Sequence, residues 1–415
     1  MIAITSMNDT DYAQVLQTAS DFHIRRAVER LRDGLFDPIA VRLLTAHENR
    51  LNRAVDAGFR AVDNGGAAHL CVSGAYGQGK SHSLTYIQDR ALRENFATSM
   101  INLDPREVPF HDFRQVYRAL MANLRFPGAE ASLVAQWRAW AEAQGTGDGV
   151  AGLLPEEMPH LFRSVLAGIA QQTMPLSPRQ RRTKKHASYR PRQFPYLLYR
   201  ALAGQVVSVF QLRHALKYRQ VDFYMDASLR CRGQASFLQM IRGLGRLFQK
   251  MGYRGWVLLF DEGESMAQTR VTCRSRAYWT LDRMLRPEAA VRGLYPVFAF
   301  TDDFFQQVAD EDYGRARVRR EEEVPYFEKN YADAWQDLTR YPLQDLSPAE
   351  WDDLAGRLMR LHAKAYRWRP AEGQVRRGMA ERLAQMQGQE TRYKLKALVD
   401  ELDVAHQRTS LSLRG

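Results

Sequence analysis

The sequence predicts an α/β protein in which helices flank a parallel β-sheet, and three observations support this fold class. Residues 68–73 (AHLCVS) form a short apolar segment, which is followed by a glycine-rich loop and by apolar residues at helical spacing. Residues 256–260 (WVLLF) form an unbroken apolar run, which is typical of a parallel strand covered on both faces. Residues 294–300 (LYPVFAF) predict a third strand. Strands that alternate with helices favour a parallel sheet.

The glycine-rich loop, GAYGQGKS at residues 74–81, has the spacing of a phosphate-binding loop. Its glycines allow backbone N–H groups to surround a phosphate. Lys80 is expected to contact the β- and γ-phosphates of a nucleoside triphosphate, and Ser81 to coordinate Mg²⁺. The alternative is an ordinary glycine-rich turn, but the strand–loop–helix order favours the phosphate site. The predicted nucleotide-binding residues are Gly74, Ala75, Tyr76, Gly77, Gln78, Gly79, Lys80, Ser81 and His82.

Polar residues at the ends of the next two predicted strands complete a hydrolytic site. Asp261 is expected to bind Mg²⁺ through its water shell, and Glu262 to orient or deprotonate the water that attacks the γ-phosphate. The alternative is a pair of solvated acids that close the strand. Thr301 follows the third strand and either senses the γ-phosphate or caps the next turn. Arg392 either reaches the nucleotide from a lid or is an exposed arginine at a helix start. Lys80, Glu262 and Thr301 are therefore the predicted catalytic residues.

The net charge of +12 arises from one stretch of the sequence. Residues 158–221 contain twelve Lys or Arg residues and no Asp or Glu, so this stretch carries the whole surplus. Its densest part, residues 179–192, predicts a basic loop that contacts nucleic-acid phosphates, and the alternative is a solvated charge run. The candidate contacts are Arg179, Arg181, Arg182, Lys184, Lys185, Arg190 and Arg192.

Cysteine usage and hydropathy indicate a protein of the reducing cytoplasm. The three cysteines are too few and too scattered for a disulfide framework or a paired-cysteine metal site. The first fifteen residues contain acids where a signal peptide needs basic and then apolar residues, and no apolar stretch is long enough to span a bilayer. We therefore expect cytoplasmic localisation and no membrane insertion.

Five segments carry a family resemblance: RRAVERLRDG (25–34), GAYGQGKSHSL (74–84), INLDPREVPFHD (101–112), FDEGES (260–265) and FAFTDDFF (298–305). Together they resemble the BrxD-like ATP-binding proteins of bacterial BREX phage-defence systems, within the origin-recognition and STAND-like branch of the AAA+ ATPases. The resemblance implies a P-loop AAA+ core, ATP and Mg²⁺ as cofactors, and partners that include DNA, other defence subunits and further copies of the chain. No complete winged helix follows the C-terminal helices, so a DNA reader at that position is in doubt.

ATPases of this class hydrolyse ATP at a subunit interface with an arginine from the neighbouring subunit. Arg286 and Arg283, near the end of the helix before the third strand, are the candidates that we prefer for this role. The rivals are Arg315, Arg317 and Arg319, for which salt bridges with the acids at 321–323 are the alternative.

The motifs predict three domains. An N-terminal helical segment covers residues 1–65, and the ATPase core covers 66–340 with a mainly helical, basic insertion at about 125–233. A C-terminal helical lid covers 341–415 and begins with a capping box at Ser347 and Glu350, with Pro348 at the first helical position.

Two classes of function remain open from the sequence. The first is a DNA-stimulated ATPase of an anti-phage system that uses its ATP cycle for assembly or movement on DNA. The second is a low-turnover, nucleotide-dependent scaffold that recruits a nuclease, helicase or methyltransferase. A third, related possibility is a transposition-regulator-like ATPase that forms filaments on DNA.

Overall fold

The computed structural model describes residues 9–412 except 36, 47, 129–130, 145–149, 172–192, 219–220, 222–227, 230, 232, 288–290 and 318–324. A six-stranded sheet lies at its centre, with the spatial order β3-β2-β4-β5-β1-β6. The described pairs are parallel except β2–β3, which is antiparallel. The predicted α/β fold class is therefore confirmed. The strands are β1 (Leu70–Ser73), β2 (Ala97–Asn102), β3 (Leu124–Arg125), β4 (Trp256–Asp261), β5 (Leu294–Phe300) and β6 (Arg340–Pro342).

Helices surround this sheet. Across the described residues, no helix combines the length and the apolar composition that crossing a membrane requires. Short 3₁₀ helices cover Val150–Leu153 and Gly263–Met266, and a π-helical turn covers Val308–Asp312. The α-helices are α1 (Asp9–Thr18), α2 (Asp21–Arg32), α3 (Pro38–Leu44), α4 (Glu48–Asp63), α5 (Lys80–Arg93), α6 (Phe113–Ala122), α7 (Leu133–Ala143), α8 (His160–Gln171), α9 (Gln193–Leu202), α10 (Val209–Tyr218), α11 (Gly233–Lys250), α12 (Val271–Leu285), α13 (Phe304–Gln307), α14 (Tyr313–Arg317), α15 (Tyr331–Ala334), α16 (Pro348–Tyr366), α17 (Glu372–Gln385) and α18 (Thr391–Ser412).

The two central strands are buried along their whole length. Every residue of β4 and β5 is buried, as expected for parallel strands with helices on both faces. Aromatic rings connect them: Phe260 and Phe298 stack with centroids 4.3 Å apart, and Phe298 stacks on Phe300 at 5.7 Å. This rigid centre fixes the positions of the polar residues that follow each strand.

The described helices between β3 and β4 pack against α6 and extend the same hydrophobic core. One buried hydrogen bond joins α7 to α8, and another joins α9 to α6. The indole Nε1 of Trp137 donates to the carbonyl oxygen of Leu166 at 2.8 Å, and the hydroxyl of Tyr117 on α6 donates to the carbonyl oxygen of Leu202 at 2.7 Å. Helices α7–α10 are therefore part of a continuous packed unit with the sheet.

Helices α16–α18, which we call the lid, share a separate core with the N-terminal helices. Ile24 and Val28 of α2 are fully buried against Leu358 of α16 and Leu398 of α18. The capping box of Ser347 at the start of α16 is present as predicted. The lid is therefore held by residues far from it in the chain, and it forms one wall of the cleft described next.

Candidate nucleotide-binding site

The glycine-rich loop connects β1 to α5 at the carboxyl edge of the sheet. Strand β1 lies between β5 and β6, so the loop is anchored on both sides. Gly77 and Gly79 have positive φ angles of 75° and 105°, a conformation that residues with a Cβ rarely adopt. Gly79 is also the N-cap of α5, so the first helical turn begins directly after the loop. The loop thus has the backbone geometry that a phosphate site at a helix N-terminus requires.

Lys80 is the first residue of α5 and is buried. Its Nζ donates to the carbonyl oxygens of Gly74 at 2.9 Å and Ala75 at 3.1 Å. Gln78 braces the same turn: its Oε1 accepts from the N–H of Ala75 at 2.8 Å, and its Nε2 donates to Asp345 at 3.0 Å. The loop carbonyls therefore hold the ammonium group at the mouth of the loop, where it can exchange them for phosphate oxygens.

The predicted acid pair lies at the same edge of the sheet. Asp261 is the last residue of β4 and is buried, and its Oδ1 accepts the backbone N–H of Glu262 at 3.0 Å. Glu262 is exposed and has left-handed backbone angles, φ 56° and ψ 42°, which are uncommon for a residue with a side chain. Both acids line one cleft together with Lys80 and Ser81.

This cleft has a volume of about 310 Å³ and lies between the loop, the N-terminal helices and the lid. Its polar part includes residues 76–83, the acids Asp261, Glu262 and Glu264, and Arg392. Its apolar part is a wall of leucines and a valine from α2, α3, α16, α18 and their connections, which the sequence did not reveal. The apolar lining residues are Leu31, Leu35, Val41, Leu44, Leu343, Leu346, Leu354 and Leu395.

Glu264 is a third carboxylate in the cleft that the sequence analysis missed. It lies in the 3₁₀ turn Gly263–Met266 and is partly buried, and the backbone N–H of Thr301 is close enough to lower the pKa of its carboxyl. Its Oε2 is buried and makes no hydrogen bond within the described part of the chain. Burial raises the pKa of this carboxyl, whereas the charge of Lys80 lowers it. The only sequence signal was its position three residues after Asp261.

Thr301 directly follows β5, as predicted, and is partly buried. Its backbone carbonyl accepts the N–H of Phe304 at 3.2 Å at the start of α13. Thr301 is not one of the residues that line the cleft, but its backbone N–H lies near the carboxylate of Glu264, which is one of them. Its role as a γ-phosphate sensor stays a prediction.

His82 lines the cleft but is engaged with the N-terminal helices. Its Nε2 lies 2.9 Å from the hydroxyl of Thr45, which itself donates to the carbonyl oxygen of Val41 at 2.6 Å. Because the hydroxyl proton is used by Val41, the imidazole donates from Nε2. Burial lowers the pKa of His82 to about 4, so the ring is neutral at physiological pH. Its geometry fits a structural contact between α5 and the end of α3.

The lid brings two opposite charges to the loop. Arg392 lines the cleft, and its Nη2 lies 3.8 Å from Oε2 of Glu390. The Glu390 side chain rests on Gly77, because a Cβ built there would lie 2.1 Å from Glu390 Oε2. The Cβ position of Gly34 likewise lies 3.5 Å from the Arg392 side chain. The sequence indicated Arg392 but gave no signal for Glu390.

Both preferred trans-arginine candidates form ion pairs within the chain. Arg283 donates to Glu328 at 3.2 and 3.3 Å, and its guanidinium lies 4.0 Å from the Trp279 ring. Arg286 forms an ion pair with Asp337 at 3.4 Å and remains 40% exposed. A role in trans stays a prediction for both.

The remaining arginine candidates lie partly within and partly outside the described residues. Arg315 pairs with Asp312 at 3.2 Å, and Arg319 lies outside the described residues. The seven predicted nucleic-acid contacts also lie outside the described residues: Arg179, Arg181, Arg182, Lys184, Lys185, Arg190 and Arg192.

The donor set fits a magnesium ion held together with a nucleotide. Ser81 and Asp261 both line the cleft and offer hydroxyl and carboxylate oxygens, the ligands that Mg²⁺ prefers. No group of three or more His, Cys, Asp or Glu side chains suitable for a metal occurs among the described residues. A site with one or two protein ligands, completed by water and phosphate, is the usual arrangement for Mg²⁺.

Comparison with known proteins shows what this chain is similar to. The model of the family described as "BREX system ATP-binding protein BrxC/D" matches residues 22–177 and 226–415, which is most of the chain. Comparison with curated proteins gave no match. Among solved structures, the Walker-type ATPase PABY2304 of Pyrococcus abyssi aligns over 88% of this chain and 74% of its own, with 11% identity and a TM-score of 0.32.

Proposed function

Since the chain belongs to the BrxC/D family of BREX system ATP-binding proteins, we propose that it is a cytoplasmic, DNA-stimulated ATPase of an anti-phage system. One observation carries the catalytic part of this proposal. The phosphate loop, Lys80 and the carboxylates Asp261, Glu262 and Glu264 all line a single cleft. Binding alone needs the loop, whereas hydrolysis also needs acids that position the metal ion and the attacking water.

Each group has a distinct role in this proposal. On binding, Lys80 exchanges the carbonyls of Gly74 and Ala75 for oxygens of the β- and γ-phosphates. Ser81 and Asp261 would hold Mg²⁺, which would neutralise charge on the phosphates. Glu262 orients the lytic water and accepts its proton. Its exposure and left-handed backbone set it apart from the buried Asp261, which suits contact with a water molecule.

Glu264 connects the nucleotide to the end of β5. Its carboxylate lies near both the charge of Lys80 and the backbone N–H of Thr301. When Lys80 turns toward phosphate, the electrostatic field at Glu264 changes, and with it the attraction between its carboxylate and the N–H of Thr301. In this proposal the γ-phosphate is sensed through that contact, alongside any direct contact with the Thr301 hydroxyl.

In this proposal, nucleotide binding shifts the lid, and the lid transmits this shift to the rest of the molecule. Arg392 is expected to leave its ion pair with Glu390 and to bind the phosphates, because a triphosphate offers more negative charge than one carboxylate. The lid shares its core with the N-terminal helices, so a shift of α18 is transmitted to α2. Such coupling provides the shape change that assembly or movement on DNA needs.

The basic stretch is the proposed contact with DNA. Residues 158–221 carry the full charge surplus of +12, and a polyanion is the partner that an acid-free stretch fits best. Deletion of residues 179–192 is expected to make DNA binding less dependent on salt, since fewer counterions are released. A salt titration of binding checks this, and an unchanged slope would remove the loop from the proposal.

Further copies of the chain and other defence subunits are the proposed protein partners. In a homo-oligomer, Arg286 is our preferred donor to the neighbouring active site, since it is the more exposed of the two candidates on α12 and at its end. Replacement of Arg286 by alanine should reduce turnover under conditions in which the oligomer forms, because the neighbouring active site then lacks this charge. ATP binding should be retained.

The test of the proposal is an ATPase assay with and without duplex DNA. The proposal predicts Mg²⁺-dependent turnover that rises with DNA and is lost in Glu262→Gln, although this variant still binds ATP. Glu381→Gln is a matched control, because Glu381 is an exposed acid on α17 outside the lining of the cleft. Slow turnover that DNA leaves unchanged would favour the second function, a nucleotide-dependent scaffold.

A further inference from the structure

Helices α9 and α10 carry an exposed patch that combines aromatic rings with cations, which we call the aromatic–basic surface. It comprises Tyr196, Arg200, Val206, Phe210, Arg213 and Lys217. Three of these are large apolar residues with high exposure: Tyr196 at 63%, Val206 at 71% and Phe210 at 73%. Soluble proteins seldom expose several large apolar side chains so close together in sequence unless the patch contacts a partner.

The orientation of α10 follows from its apolar spacing. Leu212, Ala215 and Leu216 are buried in the main hydrophobic core, so the opposite side of the helix is exposed. Phe210, Arg213 and Lys217 occupy that side at spacings of three and four residues, which form one stripe along a helix. The ring and the two cations are therefore neighbours.

Arg200 connects α9 to the loop that leads into α10. Its guanidinium lies 5.6 Å from the centre of the Tyr196 ring, and its Nη2 donates to the carbonyl oxygen of Val206 at 3.3 Å. The loop between α9 and α10 is thereby held beside the Tyr196 ring. Because a cation covers only one side of an aromatic ring, the exposed part of the Tyr196 ring is available for a further stacking partner.

The charge of the stretch that contains α9 and α10 indicates which kind of partner the surface binds. Residues 158–221, which include both helices, contain no Asp or Glu. A stretch of chain that carries cations and exposed rings but no acids of its own fits a chain of phosphates and aromatic bases, because cations bind the phosphates and rings stack on unpaired bases. A duplex keeps its bases stacked on each other and offers them no such contact.

We infer that the aromatic–basic surface binds single-stranded DNA, with Tyr196 and Phe210 stacking on unpaired bases and Arg213 and Lys217 contacting phosphates. This inference rests on the proposed function and specifies the form of DNA that is bound. That form is the strand that is separated or exposed when the protein works on DNA. It is independent of the loop at residues 179–192, whose proposed contacts are to phosphates alone.

The test is fluorescence anisotropy of the full chain with a labelled oligothymidine and with a duplex of equal length, across a range of salt concentrations. Tyr196→Ala and Phe210→Ala are each expected to weaken single-strand binding about tenfold. The slope of log affinity against log salt is expected to stay unchanged, since the rings carry no charge. Arg213→Ala should instead lower that slope by about 0.7. Tyr326→Ala is the control, because Tyr326 is 53% exposed but lies outside this surface.

Separate outcomes decide the inference and the proposed function. Wild-type affinity in both ring variants, or binding of duplex alone, would overturn the inference and leave the DNA-stimulated ATPase intact. Phe210→Leu should weaken binding nearly as much as Phe210→Ala, and full affinity in this variant would refute stacking. Absent DNA stimulation of the wild-type ATPase would instead refute the proposed function. Unchanged duplex binding in the ring variants, with loss of single-strand binding, supports both.

Discussion

Acid is expected to destabilise the fold through His82. The ring donates from Nε2 to Thr45 while it lines the cleft, and burial lowers its pKa from 6.5 to about 4. The unfolded chain takes up a proton near pH 6.5, whereas the folded chain does so only near pH 4. Between these values the unfolded state binds more protons, so the free energy of unfolding falls as the pH falls. Above pH 6.5 the full contribution of His82 to the free energy of unfolding is present.

The magnitude follows from the difference between the two pKa values. A difference of one unit corresponds to about 1.4 kcal/mol, so full titration of His82 removes at most about 3.4 kcal/mol. Its partial contact with solvent in the cleft makes this an upper bound. Most of the loss, about 2 kcal/mol, should already be present at about pH 5.

The assay compares urea unfolding of the wild type and of His82→Gln at about pH 7.5 and about pH 5. Glutamine retains an N–H donor for Thr45 but does not titrate. We expect the wild type to lose about 2 kcal/mol more than the variant over this interval. Equal losses in both proteins would show that His82 is not held neutral in the folded state, and would refute the reasoning from burial.

Four further variants test the cleft. Glu390→Gln should raise ATP affinity several-fold in calorimetry, since it removes an anion beside the loop and weakens the hold on Arg392; lower affinity would contradict this. Arg392→Ala should weaken ATP binding about tenfold, and no change would exclude a phosphate contact. Gly77→Ala should lower the free energy of unfolding by about 1–2 kcal/mol because of its positive φ, as urea unfolding would show. Glu264→Gln should raise the melting temperature without nucleotide at neutral pH, because a carboxyl whose pKa burial raises destabilises the fold when ionised; a lower value would contradict it.

The central strands could be predicted from the sequence because their signal is local. Continuous apolar runs define a strand that is buried on both faces, and Leu294–Phe300 was predicted with its observed bounds. The run at 256–260 extends by one residue, to Asp261, and the run at 68–73 begins two residues later, at Leu70. The capping box at Ser347 was predicted for the same reason, since its partners lie three residues apart.

The rest depends on contacts between distant parts of the chain. Strands β3 and β6 have two and three residues, which is too short for any periodicity, and β6 exists because β1 offers a free edge to it. Glu390 meets Gly77, and Gly34 meets Arg392, across more than 300 residues of sequence. The apolar wall of the cleft is likewise built by helices from both ends of the chain. No local pattern encodes such pairings.

Calorimetry of Mg·ATP binding to the wild type and to Lys80→Ala tests whether this cleft is the nucleotide site. We expect saturable binding at one site per chain, and at least tenfold weaker binding in the variant, because a buried ammonium on the phosphates is lost. Absence of heat with the wild type, or equal affinity in the two proteins, would contradict the assignment of this cleft as the nucleotide site.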